Sequence, residues 1–235
     1  MSASKKNTTL PTTPQIVGTI HSAGSLKRAL TLKPGEVDAL ELRVDHFADS
    51  PDVLLKAAER LNFPLILTVR HPKEGGANSL SAQRRRDLYM EFLALATYMD
   101  VELRSVDSLR ETMEQARAAG VHVSVSDHHF RSTPALAALN KRLGAARKAG
   151  ADIFKLAATV NTAADLARLF TFFTSAATRQ PLSTMGMGPF GKVSRILFAR
   201  SGSLLNYGYL DQPQVPGQWE ARLLKKRVEE LEAVE

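Results

Sequence analysis

The 235-residue chain contains no cysteine. Disulfides, thiolate metal centres and cysteine nucleophiles are therefore excluded, and nothing asks for an oxidising compartment. No apolar stretch approaches the roughly 20 residues that span a bilayer, and the N-terminus lacks the apolar core of a secretory signal. A cytoplasmic protein with no membrane partner is expected. No low-complexity linker interrupts the chain after residue 14, which argues for one domain at 15–235. Residues 1–14, rich in Ser, Thr, Lys and Pro and without periodicity, read as a flexible N-terminal tail.

Basic residues outnumber acidic ones, 31 to 24, for a net charge of +7 that suits an anionic partner. Charge alone does not separate nucleic acid from a small carboxylate or phosphate. The densest basic spot, Arg84-Arg85-Arg86, has no interleaved aromatics and opens a helical pattern. It reads as a solvated face, and no nucleic-acid partner is expected.

Short apolar runs alternate with helical patterns along the whole domain. Strands are predicted at 15–20, 38–44, 65–70, 98–103, 121–126, 152–157, 182–186 and 203–207. Helical stretches are predicted at 51–61, 82–96, 108–119, 135–149 and 162–174, with Gly120 and Gly150 as C-caps, and a last amphipathic helix at 220–235. Units of about 29 residues sit near the lower limit of a compact (β/α)₈ barrel, so the predicted fold is an α/β TIM barrel.

Lys155 lies in the apolar run 151–157, which reads as a buried strand. Its stem can snorkel to an edge, or the amine can be chemically employed, because burial disfavours an ammonium ion and favours a free amine able to attack a carbonyl. In a barrel of this kind functional residues gather at the C-terminal strand ends. Strand two ends in Glu41-Leu42-Arg43-Val44-Asp45, whose alternation puts Glu41, Arg43 and Asp45 on one face. Substrate contact is favoured for Glu41 and Arg43, a structural ion pair for Asp45. Strand three delivers Arg70 and then Glu74-Gly75-Gly76, where paired glycines permit unusual dihedrals. Strand four carries Asp100 and Glu102, which suit an internal charge network or a ligand site alike.

Strand five leads into His128 and His129, candidates for general base work with Glu74 as an orienting carboxylate. Adjacent positions diverge and lack a third ligand at a useful spacing, so no metal site is assigned. After strand seven, a glycine-rich loop precedes Arg195, a fork for a carboxylate or phosphate. Pro216-Gly217-Gln218 after strand eight could form a lid.

In this order, Glu41 to His46, Arg70 with Glu74-Gly75-Gly76, Ser126 with His128 and Phe130 before Thr133-Pro134, Lys155, Met185 to Arg195, and Pro216-Gly217-Gln218 resemble the type I 3-dehydroquinate dehydratase family over roughly 15–218. The resemblance implies a hydro-lyase of the shikimate pathway that removes water from 3-dehydroquinate to give 3-dehydroshikimate. Lys155 would form a Schiff base with the substrate ketone, His128 would act as general base and acid, and Glu74 would orient it. Glu41, Arg43, Arg70, Arg195 and Gln218 would bind substrate polar groups, and Met187 and Tyr207 would pack against its ring. No metal or added cofactor is implied, and a homodimer is. The sequence departs from the family pattern at His129, at Gln214 and at Gly18, where small or acidic polar residues are expected. A class I aldolase acting on a phosphorylated substrate would share the barrel and the lysine, and a basic barrel devoid of catalysis is a further alternative.

Overall fold

The computed structural model describes residues 9–178 and 180–231. Most of the tail read at 1–14 and the last residues of the helix read at 220–235 lie outside them. Strands β1 (Gln15–Ile20), β2 (Ala39–Arg43), β3 (Leu65–Thr68), β4 (Tyr98–Glu102), β5 (His122–His129), β6 (Ile153–Thr159), β7 (Leu182–Met187) and β8 (Leu205–Tyr209) alternate with helices. The helices are α1 (Ala23–Ala29), α2 (Pro51–Ala58), α3 (Ala82–Phe92), α4 (Arg110–Ala118), α5 (Leu136–Lys148), α6 (Ala163–Ala176), α7 (Gly191–Arg200) and α8 (Ala221–Glu230). All pairings are parallel, in the order β7-β6-β5-β4-β3-β2-β1-β8. This is the expected (β/α)₈ barrel.

Between β7 and β8 no regular ladder forms among the described residues. The Leu204 N–H donates to Leu182 O at 2.7 Å, the Thr184 N–H donates to Ser203 Oγ at 2.9 Å, and the Ser183 hydroxyl donates to Leu205 O. Small hydroxyl side chains thus satisfy backbone groups that a ladder would otherwise pair.

Strand alternation divides the apolar residues into two cores. Leu40, Leu42, Leu67, Val101, Val125, Phe154 and Leu156 face the helices and join the larger cluster. Val17, Ala39, Ile66, Tyr98, Ile153 and Leu205 face inward and plug the N-terminal end of the barrel. Two residues further along the same strands the interior turns polar, with Glu41, Thr68, Asp100, Lys155 and Tyr207 all buried. The apolar plug forms a floor, and charged groups rest on it.

Local signals fix where each helix meets the sheet. Ser22 and Thr162 cap α1 and α6 through reciprocal capping boxes with Ser25 and Asp165. Gly120 and Gly150 take left-handed backbone, at φ +76° and +75°, just after α4 and α5. The 6→1 bond from Val121 N to Ala116 O completes the C-terminal motif at α4.

Two readings of the sequence change here. Strand β2 stops at Arg43, and Asp45 sits in a short 3₁₀ turn, Val44–Phe47, so its carboxylate meets Arg43 around a bend. Arg85 is not on a solvated face: it is 1% exposed, and its guanidinium bonds Val69 O at 2.8 Å, Ser105 Oγ at 2.9 Å and Glu102 Oε2 at 2.6 Å. A run of three arginines on a helix spreads over more than half its circumference, so one of them faces the sheet. Removing a partner from a buried ion pair costs about 3–5 kcal/mol, because the other charge stays behind. Arg85→Ala should therefore lower unfolding stability in urea by roughly 3 kcal/mol. A loss below about 1 kcal/mol would place the pair among the weak surface bridges and contradict its structural role.

Candidate active site

A cavity of about 540 Å³ is lined by the C-terminal parts of the strands and the loops after them. Lys155, His128, Glu74, Glu41, Arg43, Arg70, Arg195, Gln218, Met187 and Tyr207 all line it. The sequence spreads these residues over more than 170 positions, and the barrel brings them to one space.

Lys155 projects inward from β6, in register with Ser126 on β5 and Ser183 on β7. It is 3% exposed. Its Nζ lies 3.0 Å from Asp100 Oδ2, 3.3 Å from Glu41 Oε1 and 3.7 Å from the centroid of the Tyr207 ring. Burial therefore does not leave the amine isolated: two carboxylates and an aromatic face compensate the ammonium ion. Glu41 is itself held by Thr19 Oγ1 at 3.2 Å and Thr68 Oγ1 at 3.0 Å. Lys155 first, then Arg43 and Arg70, offset the burial cost and hold the Glu41 carboxyl below its ordinary range.

Arg70 knits the interior together. Its Nη1 donates to Asp100 Oδ1 at 2.8 Å, Glu102 Oε1 at 3.1 Å and Ser126 Oγ at 2.8 Å. Glu102 carries on to Arg85, to Ser105 and to the His71 N–H. The strand-four acids are thus structural members of one network, and Asp100 also reaches the reactive end of Lys155. Arg43 is held by Asp45 at 3.0 and 2.8 Å and by Gly75 O at 2.9 Å. That last contact fixes the turn carrying Glu74, in which Gly75 adopts φ +80° and a Cβ on Gly76 would fall 2.2 Å from Arg70 O.

His128 and Glu74 form a closed pair, with Nδ1 to Oε2 at 2.8 Å, while Arg104 Nε donates to Glu74 Oε1 at 2.7 Å. Burial first, and the cations Arg70 and Lys155 next, pull the imidazole down to about 3. Burial likewise pushes the Glu74 carboxyl up to about 7. The resting histidine is neutral, with one nitrogen occupied by Glu74 and the other available as a base. Phe130 lies parallel to it, ring centroids 6.1 Å apart.

Arg195 differs from the other buried arginines. It follows the glycine-rich loop on α7, 3% exposed, because Gly191 lets that helix start directly against the closing loop. Its Nη1 donates to Tyr207 O at 2.6 Å, its Nε has no partner, and no carboxylate pairs with it among the described residues. Burial pulls it down to about 10. A buried guanidinium with an unspent donor and no counterion is suited to an anion. The closing loop seats on the glycine turn: Gly188 N donates to Pro216 O at 2.9 Å, and a Cβ on Gly217 would lie 2.5 Å from Gly188 O. Gln218 Oε1 accepts from Gln214 N at 2.9 Å, which orients its amide toward the cavity wall.

The three departures resolve differently. His129 points to the opposite face from His128, pairs with Asp127 at 2.8 Å and does not line the cavity. Gly18 faces Leu210 and Leu40 in the outer layer, so it is not a site position; the next residue, Thr19, presents the hydroxyl. Gln214 lines the cavity. So do His21 and His46, which sequence reasoning did not single out; their rings meet edge to face at 5.7 Å. Burial pulls both imidazoles down, His46 to about 4. The inward face of β1, continued one step past its end, marks Thr19 and His21, and this signal was open to the alternation rule.

The chain matches the type I 3-dehydroquinase family over residues 19–233. It is 35% identical over 192 residues to the 3-dehydroquinate dehydratase of Hydrogenobaculum sp. (strain Y04AAS1), covering 80% of this chain and 85% of that one. It is also 35% identical over 205 residues to the 3-dehydroquinate dehydratase of Pyrococcus abyssi, covering 86% and 92%. Among solved structures, the type I 3-dehydroquinate dehydratase of Clostridium difficile with covalently modified comenic acid superposes with a TM-score of 0.85 at 27% identity, covering 94% of this chain and 93% of that one. With the fold, the cavity and these likenesses in agreement, the chain belongs to the type I 3-dehydroquinase family.

Proposed function

We propose that the chain dehydrates 3-dehydroquinate to 3-dehydroshikimate through a Schiff base on Lys155. One observation carries the reading. A buried lysine, an imidazole paired with Glu74 and a guanidinium with no counterion among the described residues share one cavity, which is what a ketone-bearing carboxylic acid needs. The covalently modified comenic acid of the Clostridium difficile neighbour agrees with a site that bonds to a small acid.

Arg195, whose side chain lines the cavity, receives the substrate carboxylate. Glu41, Arg43, Arg70 and Gln218 bind the hydroxyls, and Met187 bounds the ring, so the C2–H is placed near the imidazole. His128, held neutral, takes a proton from the Lys155 ammonium, and the free amine attacks the C3 ketone. The carbinolamine loses water to give an iminium, which withdraws electrons and acidifies C2. His128 removes a C2 proton and returns one to the C1 hydroxyl, which departs as water. Hydrolysis of the product iminium releases the ketone and restores Lys155. The family resemblance further implies a homodimer in the cytoplasm, with no added cofactor. The aldolase alternative is less well supported, because the Gly188 and Gly191 N–H groups, which would cradle a phosphate, are spent on Pro216 O and Gly188 O.

Formation of the conjugated enone carboxylate is read directly by near-ultraviolet absorbance. Purified protein mixed with 3-dehydroquinate should show a rise that Lys155→Ala, with an unchanged circular dichroism spectrum, does not. Normal turnover in that variant would reject the Schiff-base assignment.

The pH dependence follows from the His128–Glu74 pair. As pH falls through about 7, Glu74 takes up a proton. Its O–H then donates to Nδ1, the imidazole hydrogen moves to Nε2, and the lone pair that accepts the substrate proton is lost. The acid limb of kcat/KM should lie near pH 7 in the native protein and move to lower pH in Glu74→Gln, with a reduced plateau. A limb unmoved by the substitution would show that Glu74 does not control the base.

A further inference from the structure

We infer that the ring of Tyr207 holds the positive charge on Lys155 Nζ through the covalent stage of the reaction, when the carboxylates can no longer share it fully. The inference rests on the Schiff-base reading above. In the resting site Nζ has three N–H donors and three partners: Asp100 at 3.0 Å, Glu41 at 3.3 Å and the Tyr207 ring, whose centroid is 3.7 Å away. Condensation changes that count. The amine nitrogen bonds to the ketone carbon, the carbonyl oxygen leaves as water with two protons, and the protonated imine keeps one N–H. That single hydrogen can serve one of the two carboxylates. Both carboxylates keep their Coulombic attraction for the iminium but one loses its hydrogen bond, whereas the attraction of an aromatic face comes from the ring quadrupole and never depended on a hydrogen.

The setting of Tyr207 supports a role for the ring rather than for the hydroxyl. The side chain is 4% exposed, and its ring joins the inward-facing cluster that contains Val17, Ala39, Ile66 and Tyr98. Its backbone is fixed by the 2.6 Å bond from Arg195 to Tyr207 O. Its hydroxyl is buried and has no hydrogen-bond partner. A buried phenol selected for its O–H would be expected to pair it; here the polar end is idle, and the face is what meets the reacting nitrogen. In a dry interior such a contact is near the strong end of its range.

The test replaces the ring's electrons without changing its shape. With Tyr207→Phe as the reference, phenylalanines carrying one to several ring fluorines at this position should lower kcat stepwise. The full loss should reach about thirtyfold with KM nearly constant. A residue that merely fills space would not respond to fluorination. Borohydride capture of a substrate adduct on Lys155 in the native protein tests the underlying reading separately. No adduct would remove the Schiff base and this inference with it. An adduct together with kcat indifferent to fluorination would overturn the inference alone, as would a collapse of Tyr207→Phe to the level of Lys155→Ala.

Discussion

The ion network centred on Arg70 is the constraint on which the rest of the site depends. One guanidinium nitrogen ties Asp100, Glu102 and Ser126 across strands β4 and β5. Asp100 faces Lys155, while Glu102 anchors Arg85 and the turn after β3. Charges buried this deeply are costly unless paired, and in this network the pairing leaves little freedom in where each group sits. The network therefore sets where Lys155 sits. The apolar plug beneath it keeps water from entering at the other end of the barrel.

The same network sets the proton inventory. Burial first, then the cations Arg70 and Lys155, oppose a further positive charge on His128 and pull its imidazole down. Glu74 is tied to Arg104 yet buried, and it is left near its balance point around neutral pH. Arg195 stands apart, with no carboxylate partner among the described residues. Lys155, His128 and Arg195 are thus distinguished by how far each is compensated within the protein.

Much of this was legible in the sequence, for physical reasons that differ from residue to residue. Period-2 alternation in β2 announced Glu41 and Arg43 on the inner face, and the apolar frame around Lys155 announced a buried amine. Glycines after α4 and α5 marked helix ends because only glycine takes positive φ without strain. What escaped was whatever depends on tertiary pairing. Arg85 looks solvated in a run of arginines until the partner acid on β4 is placed beside it. Gly18 looked like a site position until the strand's phase showed that Thr19 points inward. His46 meets His21 only in the folded barrel, although the phase of β1 by itself marks His21 as inward. The serine-mediated seam between β7 and β8 has no sequence periodicity at all.

The claim that buried cations and desolvation keep His128 neutral is open to direct observation by nitrogen NMR of imidazole-labelled protein. The account predicts a neutral ring at pH 7.5, with its hydrogen on Nδ1 facing Glu74, and no imidazolium signal from His128 at pH 5, where an ordinary histidine is charged. An imidazolium at neutral pH would contradict it, because the base would then be occupied before substrate arrives.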